Sequence, residues 1–228
     1  MALDSRSAEA LHGASDAAAG ANQQAAHRTW LEDLARSEPA NAAAHIELSR
    51  VRAAAGDFEG AMVAASDARR LEPDNPRATE QLASVFADMG DVQRLEPLAD
   101  LLVARYPDRD EGRYYQAAAL MLRDRPVEAA DIARRVVTAN PRFARAQNLL
   151  GAACATIGQR DCAEAAFAAS ILLSPREPST YVNLGVFYLQ NARPANAADS
   201  FGEALALDPS SQAAQDGLRQ ARAALAIP

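Results

Sequence analysis

Half of the prolines in this chain stand at a constant spacing, and that spacing constrains the fold more than any other feature. The sequence has 228 residues and twelve prolines. Six of them follow one another at intervals of 34 residues: Pro39, Pro73, Pro107, Pro141, Pro175 and Pro209. A sequence period of roughly 20 to 50 residues is typical of repeat proteins, in which each unit packs on the next. We therefore expect a tandem array of 34-residue units.

The residues between these prolines predict a pair of helices in each unit. With proline at position 32, the repeats begin at residues 42, 76, 110, 144 and 178. Position 8 is then always small: Ser49, Ala83, Ala117, Gly151 and Gly185. Small residues let two helices approach closely, and apolar residues recur at helical spacing. Glycine at position 15 marks the end of the first helix, and the proline ends the second. The predicted class is all-α.

The last two repeats resemble a known family. Its pattern is matched best by the repeat that begins at residue 178, through Tyr181, Leu184, Gly185, Tyr188, Ala197, Phe201, Ala204 and Pro209. This pattern resembles the tetratricopeptide repeat, and we expect a bacterial member of that family. The resemblance implies a right-handed α-solenoid of tandem helix–turn–helix repeats. We expect residues 1–22 to form a flexible lead-in, 23–41 a degenerate half repeat, 42–211 five repeats and 212–228 a capping helix.

Two residues depart from this pattern. Arg52 stands at position 11, which is apolar in a regular repeat, and predicts looser local packing. Pro97 stands within the second helix of its repeat, and we expect that helix to begin late, near Leu95, because proline disrupts a helix interior.

Charge and hydropathy exclude several classes of protein. The net charge is −7 and the sequence lacks long runs of arginine, so we expect no nucleic-acid partner. No stretch is apolar enough to predict a transmembrane segment. The first ten residues include Asp4 and Glu9 and do not resemble a signal peptide. We therefore expect a cytoplasmic protein, with the periplasm as the alternative if the sequence belongs to a longer exported chain.

The sequence offers no recognisable catalytic or metal site. The three histidines are not spaced as a helical metal pair, and no phosphate-binding or nucleophile motif occurs. We predict no enzyme activity, no cofactor and no metal. Cys154 and Cys162 fit neither a zinc site nor a redox motif. They are either two small apolar residues or a disulfide between adjacent helices, which would indicate an oxidising compartment.

The resemblance also implies where a partner would bind. In this family the first helix of each repeat lines a concave groove. The predicted partner-binding residues on that face are Arg77, Tyr114, Tyr115, Arg145, Asn148 and Asn183. Aromatic rings supply contact area, arginine binds carboxylates, and asparagine bonds an extended backbone. In the alternative interpretation, Tyr115 and Leu149 pack between repeats and the asparagines have no binding role.

These observations predict a non-catalytic scaffold or adaptor that holds an extended peptide or protein segment in the groove. The alternative is a regulatory or substrate-presenting domain of a larger bacterial enzyme or assembly. Self-association through the imperfect first repeat is a third possibility.

Overall fold

All regular secondary structure in the residues that the computed structural model describes, 8–17 and 21–226, is helical. The helices are α1 (Ala8–Ala17), α2 (Ala21–Ser37), α3 (Ala42–Ala54), α4 (Phe58–Leu71), α5 (Pro76–Asp88), α6 (Val92–Arg105), α7 (Asp110–Leu122), α8 (Pro126–Ala139), α9 (Ala144–Thr156), α10 (Arg160–Leu173), α11 (Pro178–Gln190), α12 (Pro194–Leu207) and α13 (Gln212–Leu225). The first helices of the five repeats begin at the predicted residues. The expectation of an all-α fold of tandem helix–turn–helix repeats is confirmed.

The helix ends follow from capping residues and prolines. Asp57 and Asp91 cap α4 and α6, and their carboxylates accept hydrogen bonds from the backbone N–H groups of Gly60 (2.9 Å) and Arg94 (3.1 Å). Proline opens α5, α8, α11 and α12, where its missing N–H leaves no helical hydrogen bond unmade. The turn between the two helices of a repeat is therefore encoded by local chemistry.

Position 15 adopts a left-handed conformation in all five repeats. Its φ is +79° at Gly56, +69° at Gly90 and +76° at Gly158. The same conformation occurs without glycine at Asp124 (φ +56°) and Ala192 (φ +54°). The repeat geometry thus imposes this turn even where the side chain disfavours it.

The chain forms two compact units, residues up to Ala119 and residues from Leu120 onward. In the first unit, α5 and α6 supply most of an apolar cluster that includes Leu82, Phe86, Leu95 and Leu102. A second cluster near the beginning of the chain contains Leu11, Leu31 and Leu48 among others. Consecutive helices share these residues, so each repeat completes its core with side chains from its neighbour.

In the second unit, phenylalanine rings pack against glycines. Phe167 lies over Gly151, and Phe201 lies over both Gly185 and Gly217. A Cβ atom built on Gly151 or Gly185 would lie 2.7 Å from the facing ring, and one on Gly217 would lie 2.3 Å from it. The small residue at position 8 is thus required by the ring that covers it.

The lead-in contains an ordered element. Residues 8–17 form α1, which begins 34 residues before α3 and packs against it. Leu11 is fully buried with Leu31 and Leu48. This part of the predicted flexible lead-in is therefore a helix, and α1 with α2 supplies the two helices of a repeat rather than half of one. Residues 1–7 and 18–20, and residues 227–228 of the predicted capping helix, lie outside the described residues.

The expectation for Pro97 was wrong. Helix α6 begins at Val92 and contains Pro97 as its sixth residue. The Asp91 cap starts the helix upstream, and the proline ring lies on the exposed side.

Arg52, by contrast, is accommodated by polar partners. It donates hydrogen bonds to Glu32 Oε1 on α2 (3.1 Å) and to the carbonyl oxygen of Gly60 (3.3 Å). At this position an ion pair with the preceding helix replaces an apolar contact.

Candidate functional site

The predicted partner-binding residues lie on the first helices of their repeats, as expected from their sequence positions. Arg77 is exposed near the start of α5, and Tyr114 and Tyr115 lie on α7 in the first unit. Arg145 and Asn148 lie on α9, and Asn183 lies on α11, in the second unit.

Tyr115 does not present a binding surface. Its side chain is only 2 % exposed and packs in the cluster that contains Leu82, Phe86 and Leu95. Tyr114 is half-buried beside the same cluster, and the two tyrosine rings meet edge to face with centroids 5.0 Å apart. The prediction that Tyr115 contacts a partner is therefore corrected. Because its ring is buried, Tyr115 is a packing residue, as in the alternative interpretation of the sequence.

Asn148 and Asn183 are brought together. Asn183 Nδ2 donates a hydrogen bond to Asn148 Oδ1 over 3.1 Å, and both side chains are half-buried. An amide side chain has one carbonyl oxygen and two N–H donors. The mutual bond therefore leaves Asn148 Nδ2 as a donor and Asn183 Oδ1 as an acceptor toward a ligand, since neither atom bonds another of the residues described.

Other groups on the same two helices extend this face. Arg145 is exposed one helical turn before Asn148, so the two side chains lie on one side of α9. On α11, Val182 is half-buried, and Val186 is 42 % exposed. The α9–α11 face, defined here by Arg145, Asn148, Val182, Asn183 and Val186, combines a cation, a pair of amides and an apolar surface.

In the first unit, Glu80 on α5 binds Arg109, which lies in the loop between α6 and α7. Arg109 donates from Nε and Nη2 to the two carboxylate oxygens of Glu80, at 2.7 and 3.0 Å. Burial raises the pKa of Glu80, although its hydrogen bond to Arg109 opposes the shift. The same hydrogen bond raises the pKa of Arg109.

A second charged cluster joins α1 to α3. Glu47, only 5 % exposed, lies 3.2 Å from His12 Nδ1 and 2.9 Å from Arg50 Nε. Neither this cluster nor the Glu80–Arg109 pair was predicted from the sequence. The repeat register could have indicated the His12–Glu47 contact. Like the Asn148–Asn183 hydrogen bond, this contact joins residues 35 apart in adjacent repeats.

The two cysteines are joined. A disulfide connects Cys154 on α9 with Cys162 on α10, with Cα atoms 5.9 Å apart. It links the two helices of one repeat, and the first of these, α9, also carries Asn148.

Within the part of the chain that the structure describes, no group of three or more acidic, histidine or cysteine residues is arranged to hold a metal ion. Over those same residues, no helix is both long and apolar enough to cross a membrane.

Comparison with known proteins agrees with this architecture. Residues 178–211 match the tetratricopeptide repeat family. A cell division cycle protein 27 homologue from Caenorhabditis elegans is 24 % identical over 135 residues, which are 59 % of this chain and 17 % of that protein. The chain thus matches only a small part of that relative's length.

Two solved structures share the fold. TTC0263, a thermophilic tetratricopeptide-repeat protein of Thermus thermophilus, superposes with a TM-score of 0.67 at 23 % identity, over 79 % of this chain and 97 % of that one. The APC/C hetero-tetramer Cut9–Hcn1 superposes with a TM-score of 0.69 at 18 % identity, over 96 % of this chain and 43 % of the other. With the 34-residue helix pairs, these similarities show that the chain has the fold of tetratricopeptide-repeat proteins, and one of its repeats, residues 178–211, matches that family.

Proposed function

We propose that this chain is a non-catalytic interaction module that binds an extended protein segment on the α9–α11 face. Proteins built from tetratricopeptide repeats are generally protein-interaction scaffolds, and homologues with this fold are typically non-catalytic. The observation that carries the proposal is the Asn148–Asn183 hydrogen bond, because it fixes the orientation of both amides.

The fixed amides suit the backbone of an extended peptide. One peptide group offers an N–H donor and a C=O acceptor. Asn183 Oδ1 accepts from such an N–H, while Asn148 Nδ2 donates to a carbonyl oxygen. Because the two amides already hold each other, little side-chain freedom is lost on binding.

The neighbouring residues supply selectivity. Val182 and Val186 offer an apolar surface for an aliphatic side chain of the segment. Arg145 is placed to bind an acidic side chain, through the two-pronged geometry that arginine makes with carboxylates. The expected ligand is therefore an extended segment that carries aliphatic and acidic residues.

The proposal is tested by selecting phage-displayed peptides on the whole chain and measuring the affinity of the enriched peptides. The double variant Asn148→Ala/Asn183→Ala should lose about tenfold or more in affinity, since two hydrogen bonds are removed. Asn196→Ala is the matched control, because Asn196 is exposed on α12, away from this face. N-methylation of the bonded peptide group should weaken its binding to the unaltered chain but not to the double variant, which lacks the amide that accepts this N–H. The proposal is refuted if Asn148→Ala/Asn183→Ala binds the selected peptides as tightly as the control Asn196→Ala does.

The disulfide bears on the compartment in which this module acts. Disulfides persist in oxidising compartments and are rare in the cytosol. The Cys154–Cys162 bond therefore supports the exported alternative over the cytoplasmic expectation. Trapping free thiols in intact cells of the source organism tests this, because both cysteines should resist alkylation until a reductant is added.

A further inference from the structure

A pocket rimmed by arginines lies in the first unit, apart from the face just described. Its volume is about 350 Å³. Arg69 and Arg70, in the last turn of α4, and Arg105, in the last turn of α6, line it together with Ser66. Leu82 and Leu101 provide apolar walls. Three cations converge here in a chain whose net charge is −7.

Two of these arginines have acidic partners at the rim. Arg70 Nη2 donates to Asp67 Oδ1 over 2.9 Å, and Arg105 donates to the carboxylate of Asp74. The Asp74 side chain is 83 % exposed, so water screens this pair strongly. Arg69 has neither a hydrogen-bond nor an ion-pair partner among the residues that the structure describes. The pocket therefore keeps a positive charge that its own neighbours do not neutralise.

The repeat fold does not require these arginines. Arg69 and Arg70 occupy positions 28 and 29 of their repeat. The next three repeats hold other residues there: Val103 and Ala104, Val137 and Thr138, Ile171 and Leu172. Position 30, which is Arg105 in the second repeat, is Leu71, Ala139, Leu173 or Leu207 in the others. All of these repeats form the same helix pair, so packing alone does not explain the arginine cluster.

We propose that this pocket binds an anionic group of a protein partner, namely a carboxylate or phosphate carried on a side chain. Arginine presents a planar set of donors that fits both groups in a two-pronged arrangement. Arg69 and Arg105 approach the anion from α4 and α6, while the Ser66 hydroxyl offers a further donor. The volume exceeds that of a simple ion and leaves space for the adjoining part of the partner's side chain. This second site is independent of the α9–α11 face.

Isothermal titration calorimetry on the whole chain at low ionic strength tests the proposal. The probes are inorganic phosphate and three blocked tripeptides: Gly-phosphoserine-Gly, Gly-Glu-Gly and Gly-Ser-Gly. We expect binding of both charged peptides or of the phosphorylated peptide alone. Binding of both would show that the pocket accepts a carboxylate as well as a phosphate, and binding of the phosphorylated peptide alone would show that it requires a phosphate. Binding should weaken with added salt, whereas Gly-Ser-Gly should not bind.

The double variant Arg69→Gln/Arg105→Gln should lose about tenfold or more in affinity for the bound probe. Arg142→Gln is the matched control, because Arg142 is exposed between α8 and α9 in the other unit. Circular dichroism shows whether each variant keeps its helices. The proposal is overturned if neither phosphate nor a charged peptide binds, or if the folded double variant binds as well as the unaltered chain. Asn148→Ala/Asn183→Ala should leave this binding unchanged, so failure at one site is distinguishable from failure at the other.

Discussion

Replacing Ala192 by glycine should make the protein more stable. Ala192 lies in the turn between α11 and α12 and has a φ of +54°, a left-handed conformation. There the N–H of Arg193 bonds the carbonyl oxygen of Tyr188 over 2.9 Å, and the equivalent bond after Gly158 joins Gln159 to Cys154 over 2.8 Å. The turn at Ala192 thus has the same hydrogen bond as the turn at Gly158, with alanine in place of glycine.

The size of the effect follows from two opposing contributions. An L-residue in this conformation is disfavoured by about 1–2 kcal/mol, which glycine avoids. Glycine also gives the unfolded chain more freedom, which disfavours folding by about 0.4–1 kcal/mol. The free energy of unfolding should therefore rise by roughly 0.5–1 kcal/mol in Ala192→Gly. Gly158→Ala should lower it by a similar amount, because the φ of Gly158 is +76°.

Urea denaturation followed by circular dichroism measures both changes through the midpoint of unfolding. The matched control is Ala165→Gly, the same substitution at an exposed position within α10. There glycine should destabilise the protein by about 1 kcal/mol, because it is a poor helix former. Opposite signs for Ala192→Gly and Ala165→Gly are the expected result. A lower midpoint for Ala192→Gly than for the unaltered chain would refute the argument that the turn is strained.

Three further predictions concern packing, charge and the disulfide. Gly217→Ala should destabilise the protein by about 1–3 kcal/mol, since its Cβ would lie 2.3 Å from the Phe201 ring. Gly202→Ala, also in a helix but facing open space, should raise the melting temperature, and equal shifts would contradict the packing argument. Because burial raises the pKa of Glu80, its contribution to stability is present below the unfolded pKa and lost as the pH rises through the folded one. The melting temperature of the unaltered chain should therefore fall relative to Glu80→Gln as the pH rises from acid to neutral, and a constant difference would argue against it. Reducing the Cys154–Cys162 bond should lower the free energy of unfolding by about 2–3 kcal/mol in a denaturant titration, and no change on reduction would contradict a structural disulfide.

The repeat boundaries were predictable because they depend on residues with unusual backbone behaviour. Proline at position 32 and glycine at position 15 act locally, so their spacing gave the starts of α3, α5, α7, α9 and α11. Helix α1 was missed although Pro39 stands at position 32 of a repeat that begins at Ala8. The packing that identifies α1 as part of the fold is tertiary, because Leu11 is buried in the apolar cluster that includes residues of α3.

The candidate site was less predictable, because it depends on which neighbours satisfy each side chain. The sequence placed Tyr114 and Tyr115 on the same helix, but successive residues point in different directions, and only Tyr115 is fully enclosed. It likewise placed Asn148 and Asn183 near one face without showing that they bond each other. Such pairings join residues of different repeats, and a pattern read within one repeat does not contain them.

Departure from the repeat pattern is therefore not sufficient evidence of function. Arg52 and Cys154 both stand at position 11, and each departure is explained by internal structure, through the bond to Glu32 and the disulfide to Cys162. At Asn148 and Arg69 the local structure leaves hydrogen-bonding capacity toward the surface. In a fold where packing is dictated by a few repeated positions, the partner-binding roles that we propose for Asn148 and Arg69 rest on that remaining capacity, and not on their departure from the pattern.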